Sequence, residues 1–143
     1  VGGMVKHLAS GLWVHGTYGK NFIDDQPGNH PSQGDITGWY LKAGWTNKFS
    51  SLGNTHFYGE YGKNEDAFTT IVGDPANPGQ FLATGITDSD ATRYGVGVVQ
   101  EIDAAAMSLW AKWRHHELDF TKNGAALAAD DVDMFLAGAV IFY

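Results

Sequence analysis

Apolar and polar positions alternate along this chain with the two-residue period of strands, not the 3.6-residue period of an amphipathic helix. The clearest run is residues 132–143, VDMFLAGAVIFY. One face carries Phe135, Ala137, Ala139, Ile141 and Tyr143, wholly apolar with an aromatic at each end. The other carries Met134, Leu136, Gly138, Val140 and Phe142. A strand of about ten residues with rings at both ends of its apolar face suits the lipid side of a transmembrane β-strand. Taken alone, it equally suits a buried edge strand of a soluble sandwich.

Earlier runs repeat the pattern. Residues 3–8 read as the end of a strand, closed by a tight turn at 9–11. In 12–20, Leu12, Val14, Gly16 and Tyr18 oppose Trp13, His15, Thr17 and Gly19. In 37–49, Trp39, Leu41, Ala43 and Trp45 oppose Tyr40, Lys42, Gly44 and Thr46. In 55–63, Phe57, Gly59 and Tyr61 oppose His56, Tyr58 and Glu60. In 91–100, Thr92, Tyr94, Val96 and Val98 oppose Arg93, Gly95, Gly97 and Val99. In 107–120, Met107, Leu109, Ala111 and Trp113 oppose Ser108, Trp110, Lys112, Arg114 and His116.

The connections decide between the two readings. Residues 21–36 and 64–90 are long, polar and punctuated by Pro and Gly, whereas 9–11, 50–54 and the stretch near Asp103 are short, and 121–131 is of medium length. Short turns on one side and long loops on the other is the asymmetry of outer-membrane barrels. The strands, roughly nine to thirteen residues, exceed the five or six usual in soluble sheets. We therefore expect an all-β fold: an antiparallel up-and-down transmembrane β-barrel, present as six full strands and part of a seventh in a single domain, 1–143.

That fold assigns the faces. Tyr18, Trp39, Tyr61, Tyr94, Trp113 and Phe135 are expected at the outer membrane interface, and Trp45, Phe57 and Tyr143 toward the turn end. His15, Lys42, His56, Tyr58, Glu60, Arg93, Lys112, Arg114 and His116 are expected to line a water-filled interior, with Lys42, Arg93, Lys112 and Arg114 as a basic wall.

Composition narrows the function. A net charge of −7 argues against a nucleic-acid partner. There is no cysteine, hence no disulfide framework or thiolate metal site. No apolar run approaches the eighteen or so residues of a membrane helix. The first residues, VGGMVKHL, have neither the basic nor the apolar region of a signal peptide, so the chain is expected to be processed or part of something longer.

The segments MVKHLASGLWVHGTYGK (4–20) and FLAGAVIFY (135–143) resemble Gram-negative outer-membrane general porins. The likeness covers nearly the whole chain, and the terminal Tyr143 is similar to the C-terminal assembly signal of those barrels. About sixteen strands are usual in that family, so the chain looks like the C-terminal part of a porin-like barrel. The resemblance implies passive diffusion of small hydrophilic solutes and ions across the bacterial outer membrane. It also implies a homo-oligomer, a trimer, in contact with the lipid bilayer and lipopolysaccharide, with no cofactor. The other class left open is a non-channel β-barrel or β-sandwich binding or structural module.

Catalytic motifs are lacking. His115 and His116 are adjacent, so on a strand they face opposite sides and cannot chelate one metal. The Gly95-Val96-Gly97 stretch lacks the third glycine and the helix of a dinucleotide site. No GxSxG elbow occurs. The acidic pairs Asp24–Asp25 and Asp130–Asp131 read as solvated loop charge, with Ca²⁺ binding or bridging to lipopolysaccharide as the alternative. No enzyme and no metal site is expected.

Overall fold

A computed structural model describes residues 1–22, 35–67, 76 and 85–142, with the backbone of 71–73 and 81–83. The strands are β1 (Gly2–Lys6), β2 (Leu12–Asn21), β3 (Ile36–Ser50), β4 (Gly53–Glu65), β5 (Ile71–Gly73), β6 (Phe81–Ala83), β7 (Ile86–Ile102), β8 (Met107–Lys122), β9 (Ala125–Ala128) and β10 (Val132–Ile141). One 3₁₀ turn, Asp103–Ala105, links β7 to β8. No α-helix occurs among the described residues, and so none is long and apolar enough to cross a membrane.

Eight strands form one antiparallel up-and-down sheet in the order β1-β2-β3-β4-β7-β8-β10, with β9 also on β8. The sheet is not closed: β1 and β10 are its edges. β9 and β10 are two halves of one strand. Ala128 pairs with Asp119 and Val132 with His116, so three residues of the last strand oppose two of β8 at a bulge. Ala129 N–H donates to the Leu118 carbonyl at 2.8 Å within it.

The long strands are longer than expected, and two connections change. The medium loop expected over 121–131 is instead a two-residue turn: Lys122 pairs with Ala125 across Asn123 and Gly124. Both central residues have positive φ, 51° and 78°, the requirement of a type I′ hairpin. At 64–90, β4 runs on to Glu65 and β7 already starts at Ile86, with the β5–β6 hairpin between them. The turns at 7–11, 51–52 and 103–106 are short. In the first of these, Gly11 adopts φ 72° close against the Thr46 carbonyl, a position without room for a side chain.

Register settles which side chains share a face, because paired residues point the same way. Tyr18 pairs with Trp39, Trp45 with Phe57, Tyr61 with Tyr94, and Trp113 with Phe135. His15 pairs with Lys42, Lys42 with Glu60, and Arg93 with His116. The two sets never mix. Among the described residues no hydrophobic side chain is buried, so the sheet has no core of its own.

Candidate functional site

The apolar face is a belt bounded by rings. Leu12, Leu41, Val96, Leu109 and Ile141 are exposed on it, and Phe135 is 81% exposed. Along its loop side the rings touch in sequence: Trp39 stacks on Tyr61 (centroids 5.2 Å), Tyr61 on Tyr94 (6.5 Å), and Tyr94 meets Trp113 edge-on (6.1 Å). On the turn side Phe49 packs edge-on against both Trp45 (5.3 Å) and Phe57 (6.0 Å). The Trp45 indole N–H donates to the Ser10 carbonyl (2.9 Å), tying this cluster to the first turn. The turn ends of β7 and β8 carry Val98, Gln100, Leu109 and Met107 on this face in place of rings. Tyr143 lies outside the described residues.

The loop-side ring line departs from the register at two of its five steps. Trp39 pairs with Lys63 but stacks on Tyr61; Tyr94 pairs with His115, whose ring it meets at 5.0 Å, and also touches Trp113, the ring of the line on that strand. Both offsets are two residues toward the turns. Over the steps from β2 to β10 the strands are thus inclined by about 30° to the ring line, given the usual rise and strand spacing. Beyond this line sit polar groups. His115 Nδ1 lies 3.0 Å from Asp133 Oδ1, the Trp113 indole N–H donates to the same carboxylate (2.9 Å), and the Tyr94 hydroxyl donates to Glu117 (3.2 Å).

From β2 to β8 the opposite face is largely polar, and it is built on an aromatic–glycine code. Across four of the neighbouring strand pairs an aromatic faces a glycine: Trp13 faces Gly44, Tyr40 faces Gly62, Tyr58 faces Gly97 and Trp110 faces Gly138. A methyl group at Gly44, Gly97 or Gly138 would overlap the facing ring, so those rings lie over the next strand. Cations then lie over the rings. Lys42 Nζ is 3.5 Å from the Tyr58 ring centre and 5.9 Å from that of Trp13. Lys112 Nζ is 5.2 Å from Trp110, and the Arg93 guanidinium 4.9 Å from Tyr40. Such contacts are attractive without cancelling the charge.

Arg114 differs from the other three. Its Nε donates to Glu60, whose side chain is 2% exposed, and the Tyr40 hydroxyl donates to the second Glu60 oxygen (2.6 Å). The four basic residues do share one face, but only Lys42, Arg93 and Lys112 lack a carboxylate partner among the described residues. Arg93 Nε and His116 Nε2 are buried without a hydrogen-bond partner. His15 meets Tyr40 edge-on at 6.2 Å. At the turn end His56 bridges Thr46 (2.9 Å) and Glu101 (3.0 Å), and Asn54 donates to Glu101 (2.7 Å).

Past the end of β4, burial pushes the Asp66 carboxyl above its ordinary value, and Asp88 and Asp90 add to the rise. Among the described residues no group of three or more His, Asp or Glu is arranged to hold a metal ion. No family model, curated protein or solved structure matches this chain.

The sequence named the members of each face. It missed Glu60 as the partner of Arg114, and it missed Trp13, Tyr40 and Trp110 as ring supports for the cations. The facing glycines were a usable signal, but only with the strand register in hand.

Proposed function

We propose that this sheet is the C-terminal part of an outer-membrane β-barrel channel that passes small hydrophilic solutes, anions in preference to cations. The carrying observation is the ring-bounded apolar face left with no partner in a sheet that has no core. Each large side chain on it gains about 1.5–3 kcal/mol on leaving water, so a hydrophobic medium is required. The staggered ring line supports lipid as that medium. Rings prefer one membrane depth, and strands of such barrels tilt by about 35–45° to the barrel axis, close to the inclination found here.

The two edges support closure by further strands. Six antiparallel steps along the seven strands in order leave β1 and β10 running in the same sense. Joining them directly would create a parallel seam, whereas an odd number of additional strands closes the barrel with antiparallel pairs throughout. Trimerisation and contact with lipopolysaccharide belong to the same proposal.

The preference for anions rests on Lys42, Arg93 and Lys112, whose charges stay uncancelled on the inner face. Fixed charges act over about 8–10 Å at physiological salt, the scale of a narrow pore. The test is insertion of the full-length protein into planar lipid bilayers. Stable single-channel conductance with an anion-favouring reversal potential is expected, moving toward cations in Lys112→Met. Spin labels complete it: a label at Leu109 should be lipid-exposed and one at Lys112 water-accessible. Water at both sites would overturn the membrane reading, and the reverse pattern would overturn the assignment of the two faces.

A further inference from the structure

The geometry points to Tyr58 as the residue that positions Lys42 and so tunes the selectivity of the inner face. This rests on the channel reading above. Three observations carry it. Tyr58 faces Gly97 on β7, and any side chain there would collide with its ring. The ring is therefore laid across the sheet with a π-face free. Lys42, on the next strand and two residues from the Tyr40 that binds Glu60, places its ammonium 3.5 Å from that ring centre, the shortest cation–ring distance among the described residues.

Lys42 also pairs in register with Glu60, the carboxylate that holds Arg114. Two partners compete for the Lys42 ammonium. The Glu60 carboxylate would cancel its charge. The Tyr58 ring, a quadrupole with a negative face, holds the charge without cancelling it. With the ring in place, Glu60 is left to Arg114 and Tyr40, and Lys42 remains a net cation over the opening. Tyr58 is thus a positioning residue, and Gly97 makes the slot that lets it act.

The experiment compares Tyr58→Phe, Tyr58→Leu, Gly97→Ala and Lys42→Met in the full-length protein. The anion-to-cation permeability ratio comes from reversal potentials in a salt gradient. A second readout is independent of conductance: the NMR signals of reductively methylated Lys42, which a ring at this distance shifts upfield. Tyr58→Phe keeps the ring and should match the wild type in both. Tyr58→Leu should lose the upfield shift and lower the permeability ratio about two- to fivefold, the usual strength of an exposed cation–π contact. Gly97→Ala, which alters no charged or aromatic side chain, should move both readouts in the same direction. Tyr58→Leu should change nothing further on a Lys42→Met background.

The proposal is overturned if Tyr58→Leu leaves both readouts unchanged, or if Tyr58→Phe is as damaging as Tyr58→Leu. It is also overturned if Tyr58→Leu still lowers the ratio when Lys42 is Met. Absence of conductance in the wild type would sink the channel reading instead, and the ring-current shift would still decide whether Tyr58 holds Lys42.

Discussion

Glu60 shows how one side chain sets the electrostatics of a face. Its side chain is almost wholly covered, and both oxygens are engaged, one by Arg114 and one by Tyr40. A carboxylate removed from water is tolerated only when it is paired and hydrogen-bonded, which this one is. Glu60→Gln keeps the shape and an acceptor but drops the charge. It should lower stability to urea by about 1–3 kcal/mol, because a charge-assisted bond becomes an ordinary one. On the proposed channel reading it should also shift the reversal potential further toward anions, since Arg114 is then uncancelled. A Gln variant with wild-type selectivity would place this level of the sheet away from the narrowest point of the proposed pore.

At the scale of the element, the last hairpin is instructive. Asn-Gly is the strongest short-range signal for a two-residue type I′ turn, and Asn123–Gly124 makes one. The sharp turn lets β8 run to Lys122 and return as β9, and the bulge at 129–131 then resets the pairing by one residue before β10. That reset matters because a slip of one residue would send Phe135, Ala137, Ala139 and Ile141 to the polar face. Gly124→Val puts a β-branched residue at φ 78° and should cost about 1–2 kcal/mol. Amide hydrogen exchange should quicken at 119–128 first, with β10 protected longer. Uniform loss of protection would mean the hairpin and the sheet open together.

For the whole molecule, the decisive asymmetry is between two faces of one sheet. Ala111 and Ala137 pair in mid-belt on the apolar face, while Leu136, one residue away, lies beside Lys112 on the other. Arginine at Ala111 should cost about 2–4 kcal/mol on insertion, the price of a charge at mid-bilayer, and arginine at Leu136 little or nothing. Folding into vesicles followed by urea titration measures both. Equal costs would show that lipid does not cover the apolar face.

Much of this was written in local pattern. Period two fixes which residues share a strand face whatever the neighbours are, so the segregation of Trp39, Leu41 and Trp45 from Tyr40, Lys42 and Gly44 could be read directly, as could the short turns at 9–11, 50–54 and near Asp103. Asn123–Gly124 was just as local and went unread as a turn, because the small residues after it, AALAA, lack the bulk that marks a strand. What sequence alone could not supply was anything that depends on register. Which glycine faces which ring, which cation rests on it, and why Arg114 rather than Lys42 is cancelled by Glu60 all follow from how far one strand slides along the next. That slide is set by turns, bulges and pairing summed over the sheet, and no single stretch of the chain contains it.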